Sequence, residues 1–128
     1  MRLLLDTQAL LWAFLESPRL SPTARAALAS PDNEVLISAV SAIEITLKHR
    51  LGKLAEAAPF IRDGRLAIEH LDYVPLPVSM DHASLAGALA IPHKDPFDRL
   101  LIAQARIERV PIVSNEKAFD RFGVERIW

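Results

Sequence analysis

Leu3-Leu4-Leu5-Asp6-Thr7-Gln8-Ala9-Leu10-Leu11-Trp12-Ala13-Phe14 is the stretch from which the rest of the chain can be read. Arg2 to Leu5 is a short apolar run closed by a helix-capping residue, the pattern of a central strand buried on both faces. Asp6 stands where that strand ends and a helix begins. A carboxylate at such a junction is either an N-cap or a ligand. The helix from Thr7 to Leu15 is apolar on nearly every side, with Leu10, Leu11, Trp12, Phe14 and Leu15, and a helix of that kind is covered all round. Neighbouring elements are the expected cover; Trp12 and Phe14 are the residues through which another protein could supply it instead.

Working outward, Ser21 and Pro22 open a helix to about Ser30, the hydroxyl as cap and the proline in the first turn. Pro31, Asp32 and Asn33 turn the chain into a second strand at Val35 to Ile37. A helix then starts at Ser38 or Ser41 and runs to about Leu51, where Gly52 ends it. Its expected buried stripe is Val40, Ile43, Leu47, Leu51 and Leu54, with Glu44 and Lys48 beside it. Residues 55–70 read as an amphipathic helix despite Pro59 and Gly64, and Tyr73 to Val78 as an edge strand because of Pro75 and Pro77. Ser79 caps a helix to about Ala90. Asp95, Pro96 and Phe97 open the helix PFDRLLIAQARIE. Val110 to Val113 is a strand, Ser114 to Phe119 a helical turn, and Val124 to Trp128 a last strand. Strands alternating with helices make an α/β fold with a mostly parallel sheet of about five strands and helices on both faces. With no linker and no repeat, residues 1–128 are expected to form one domain.

A hydrophobic share of 51% and a mean hydropathy of +0.18 imply apolar surface covered by a partner or a second copy. No run approaches the roughly 18 apolar residues of a membrane span. Asp6 interrupts anything like a signal peptide and there is no cysteine, so no membrane and a cytoplasmic location are expected. Fifteen basic against sixteen acidic residues give a net charge of -1, so any phosphate-binding surface must be local. The densest basic run is Lys48, His49, Arg50 and Lys53, followed by Arg62 and Arg65. On its own it is a solvated helix face.

Strand-to-helix junctions of a parallel sheet lie along one edge, where ligands bind. Asp6, Glu44, Asp98 and Glu116 all fall there. Singly, Asp6 caps a helix, Ser41 with Glu44 matches a capping box, Asp98 complements a helix dipole behind an Asp95 cap, and Glu116 follows a Ser114 cap. Jointly, carboxylates brought that close repel and call for a cation. Oxygen donors without cysteine or a histidine set favour Mg²⁺ or Mn²⁺ over zinc, and such an ion activates water against a phosphodiester. His49, His70, His82 and His93 share no ligand spacing. His93 is read as a loop residue outside the catalytic set.

Taken together, LLLDTQALLWAF, SAVSAIEITLKHRLGKL, HKDPFDRLLIAQA and VSNEKAFDRFGV resemble, in order and over the whole chain, the PIN-domain proteins, and within them the VapC-type toxins of toxin–antitoxin pairs. The resemblance implies a three-layer α/β/α fold and a Mg²⁺- or Mn²⁺-dependent endoribonuclease. It makes Asp6, Glu44 and Asp98 catalytic metal ligands, with Glu116 fourth, where the family more often has aspartate. Asp95 is an additional acid ranked below Asp98, and Ser114 matches a family hydroxyl position. It also implies a homodimer held in check by a cognate VapB-type antitoxin, for which the helices at 42–51 and 55–70 are the expected clamp. Lys48, Arg50 and Lys53 lie beyond Glu44 on the same element and are candidates to steer RNA. A dehalogenase-like phosphatase would need an aspartate where Gln8 stands. A receiver domain would need an acid pair after the first strand and a lysine after the last. A PIN-like module that binds RNA or a partner without cutting is the rival from another class.

Overall fold

The structure, a computed structural model, describes Met1–Trp128. Its elements in chain order are β1 (Arg2–Leu5), α1 (Thr7–Phe14), α2 (Pro22–Ala29), β2 (Glu34–Ser38), α3 (Ala39–Arg50), α4 (Ala58–His70), β3 (Val74–Leu76), α5 (Met80–Ala88), α6 (Pro96–Glu108), β4 (Ile112–Val113) and β5 (Arg126–Ile127). Short helical turns at Ala55–Ala57 and Lys117–Arg121 complete it. All strands are parallel, in the order β3-β2-β1-β4-β5, with Leu5 opposite both Ile37 and Val113. The first strand is therefore the central one, and Leu3, Leu4 and Leu5 are fully buried.

Side chains alternate across a strand, so one run of leucines feeds two apolar layers. Leu3 and Leu5 join Val35 and Ile37 beneath α1, α2 and α4, while Leu4 joins Leu36 and Ile112 beneath α5 and α6. The aromatics of α1 are taken up within the chain. Trp12 lies 5.8 Å from Trp128, ring centre to ring centre, and Phe14 meets Phe60 edge-on at 5.3 Å. Neighbouring elements are thus the cover, as expected, and the alternative in which another protein covers Trp12 and Phe14 is not what the packing shows.

The stripe expected on α3 is corrected. Ile43 and Leu51 are more than half exposed, at 55% and 51%, and the buried face is Val40, Ser41, Glu44 and Ile45. The helix starts from Ser38, whose hydroxyl accepts the Val40 N–H at 3.0 Å. Ser41 is thus inside the helix and no capping box forms with Glu44. The last three strands are shorter than the runs Tyr73 to Val78, Val110 to Val113 and Val124 to Trp128. Val110 and Pro111 fall outside β4, although the Pro111 carbonyl still accepts from the Leu4 N–H at 3.0 Å. β3 is an edge strand as expected, limited to Val74–Leu76.

Two polar anchors hold α6 in place. Gln104 is fully buried; its Oε1 accepts from the Ser38 hydroxyl at 2.5 Å and its Nε2 donates to the Pro77 carbonyl at 3.2 Å. Arg99 donates to the carbonyls of Ala86, Gly87, Leu89, Ile91 and His93 at 2.6 to 3.3 Å. One guanidinium thereby shapes the whole connection between α5 and α6. No helix is long and apolar enough to cross a membrane.

Candidate functional site

Asp6 caps α1: its Oδ1 accepts the Ala9 N–H at 2.6 Å, and the residue is only 7% exposed. Burial above all pushes its carboxyl up to about 6, and the charges of Asp98 and Glu44 push the same way. The Ser114 hydroxyl and the Ala9 N–H oppose that rise without cancelling it. Asp6 is thus cap and cavity acid at once.

Glu44 reaches the same place from the second turn of α3, where it is buried at 6% exposure. One turn before it, Ser41 Oγ lies 3.0 Å from Thr7 Oγ1, a hydroxyl pair that ties α3 to α1. One turn after it, the Lys48 ammonium donates to Glu44 Oε2.

Asp98 arrives by a different route. α6 follows α5 with no strand between them, yet α6 leads into a parallel strand and must run back across the sheet. Its N-terminus therefore points to the edge where β1 and β2 end. Asp95 caps it, with Oδ1 accepting the Phe97 and Asp98 N–H groups at 2.9 and 3.3 Å. Asp98 Oδ2 lies 2.7 Å from His93 Nε2. Burial raises the Asp98 carboxyl above its usual range, the charges of Asp95 and Glu44 add to that, and His93 counters it. His93, left out on sequence grounds, therefore touches the site. The available signal was its position five residues before Asp98, in the loop that leads into α6.

Glu116 follows β4 and is exposed. It, and not Ser114, caps the turn Lys117–Arg121, accepting the Ala118 N–H at 3.3 Å. Ser114 is fully buried and its Oγ accepts the Glu116 N–H at 2.9 Å, which orients that corner.

Asp6, Glu44, Asp98 and Glu116 all line one open cavity of about 350 Å³, together with Thr7, Gln8, Trp12, Lys48 and Asn115. Asp95, Ser114, Arg50 and Lys53 do not line it. No three carboxylates or imidazoles stand in ligating geometry. The reason is local. Asp6 accepts from a backbone amide, Glu44 from Lys48, and Asp98 lies against His93, so each acid already has a partner of its own. The donor set is nonetheless oxygen only, crowded and partly buried, which fits a hard dication and not zinc.

No protein of curated function matches the sequence. Among solved structures, the fold is similar to VapBC2 from Rickettsia felis bound to a DNA fragment from its promoter (17% identity, all of both chains, TM-score 0.69). It is similar to VapBC-1 from nontypeable Haemophilus influenzae (15% identity, 98% of this chain and 96% of that one, TM-score 0.68). A toxin–antitoxin complex from Klebsiella pneumoniae is also similar (22% identity, 88% and 85%, TM-score 0.59). The PIN domain model matches residues 3–125, nearly the whole chain and every acid of the cavity. The chain belongs to the PIN-domain family.

Proposed function

We propose that the protein is a Mg²⁺- or Mn²⁺-dependent endoribonuclease of the VapC toxin type, inhibited by a cognate VapB-type antitoxin. The observation that carries this reading is the meeting of Asp6, Glu44, Asp98 and Glu116, from four separate elements, in one open cavity. Holding a carboxylate in this cavity is costly for a folded chain unless a ligand uses it: burial first, and after it the charges of Asp98 and Glu44, push the Asp6 carboxyl up to about 6. The solved toxin–antitoxin complexes of similar fold support the partner.

In this reading Asp6, Glu44 and Asp98 hold the ion, with Glu116 at the rim. Bound there, the ion supplies an acidified water and offsets phosphoryl charge. The chain supplies the rest. The Ala9 amide and His93 each engage one carboxylate, of Asp6 and Asp98, and fix its direction. Thr7, Gln8 and Asn115 offer hydrogen bonds to ribose and phosphate. Lys48, with Arg50 and Lys53 farther along, faces the RNA backbone. The antitoxin covers α3 and α4, where Ile43, Leu51, Ile61 and Leu66 are exposed. The homodimer and the cytoplasmic location belong to the same proposal, as does a single domain over residues 1–128.

The test is incubation of the purified, antitoxin-free protein with mixed cellular RNA, in Mg²⁺ or Mn²⁺ and in chelator. Cutting that needs the ion and falls to background in Asp98→Asn is expected. Intact RNA with a folded, ion-binding protein would overturn the reading in favour of a binding module that does not cut. That alternative has one point in its favour, the exposure of Glu116 at the rim.

A further inference from the structure

Lys48 is the one cationic side chain that lines the cavity, against four carboxylates. It sits a helical turn beyond Glu44, so the α3 backbone itself delivers the ammonium to that carboxylate. The two ends of the pair differ in freedom. The Glu44 side chain is 8% exposed and the Lys48 side chain 41%, so the acid is fixed and the base can swing away.

We propose that Lys48 is the resident counter-ion of this cavity, and that a divalent cation gains Glu44 only by exchange with the Lys48 ammonium, which is then free for a phosphate of the substrate. The inference rests on the metal-site reading above and adds to it a defined competitor for the ion. The physical reason is that Glu44 cannot neutralise an ammonium and a dication side by side without the two cations repelling. Exchange also gives the exposed end of Lys48 a second use. In the ion-free protein it restrains acid repulsion; with the ion bound it adds a positive charge where RNA must enter.

The experiment measures Mn²⁺ binding to the purified protein by calorimetry, and melting in chelator, for wild type, Lys48→Met, Glu44→Gln and the double variant. Lys48→Met should bind Mn²⁺ about three- to fivefold more tightly, the size of a partly exposed ion pair removed from competition. It should also melt lower in chelator and cut RNA more slowly. In the Glu44→Gln background, the substitution at Lys48 should leave Mn²⁺ affinity unchanged. A folded Lys48→Met that binds Mn²⁺ no more tightly than wild type overturns the exchange. So does a gain that persists without Glu44. Because binding and melting need no RNA, a wild type that fails to cut while Lys48→Met binds tighter refutes the nuclease and keeps the exchange.

Discussion

Replacing Asp6 by asparagine should stabilise the ion-free protein, and the gain should depend on pH in a definite way. Asp6 titrates at about 6 in the folded chain against 3.8 for an ordinary aspartate, with burial as the main cause. Well below 3.8 the group is protonated in both states and costs nothing. As pH rises from about 4 to about 6 the unfolded chain is ionised while burial, and after it the acidic neighbours, keep the folded group protonated, so stability is lost until the folded group ionises as well. The full cost above pH 7 is about 3 kcal/mol. Asparagine is as good an N-cap, so the Ala9 N–H keeps its acceptor. Its extra amide hydrogens need partners in a tight place and return about 1 kcal/mol of the gain. A net gain of about 1–2 kcal/mol corresponds to about 4–8 °C for a chain of this length. The assay is thermal melting of wild type and Asp6→Asn in chelator at half-unit steps from pH 4 to pH 8. The variant should melt slightly lower than wild type near pH 4, where the amide cost of about 1 kcal/mol dominates, cross it as pH rises toward 6, and run parallel above it from about pH 7. Mn²⁺ at pH 8 should then raise wild type and leave the variant where it was. A constant offset at every pH, or a variant that melts lower at pH 8, would refute the reasoning.

Two further substitutions probe the scaffold behind the site. Arg99→Lys leaves one ammonium to serve the carbonyls of Ala86, Gly87, Leu89, Ile91 and His93, so urea unfolding should show a loss of about 2 kcal/mol although charge is conserved. Gly64→Ala puts a methyl 2.9 Å from two ring atoms of Phe60, which is itself wedged against Phe14. Overpacking of about 1–3 kcal/mol should outweigh the roughly 1 kcal/mol that alanine gains in a helix, and the melting point should fall by a few degrees; a rise would show that the Phe60 ring yields freely.

The parts of the fold legible in the sequence are those where one local signal leaves no choice. Leu3 to Leu5, closed by a capping residue, read as a strand covered on both faces, and Asp95-Pro96 as a helix start, because proline fixes its own φ and lacks an N–H while the aspartate supplies a cap; both formed. The ends of β3, β4 and β5 were not legible. A strand ends where its neighbour stops bonding, and that neighbour is remote in sequence.

The four acids were legible as a group because the alternation of strands and helices assigns them all to one edge, and Asp6, Glu44, Asp98 and Glu116 do share a cavity. The error on α3 came from the same source as that success. A stripe of apolar residues assumes that polar side chains face water, whereas here Ser41 and Glu44 turn inward to Thr7 and the cavity and leave Ile43 and Leu51 outside. What the sequence alone determined was the order of the elements and which carboxylates fall at one edge of the sheet, since periodicity, caps and carboxyl groups are local properties. The tertiary structure decided which donor each acid meets, Lys48 for Glu44 and His93 for Asp98, because a side chain's partner depends on the rotation of its helix and the course of its loop, and only packing sets those.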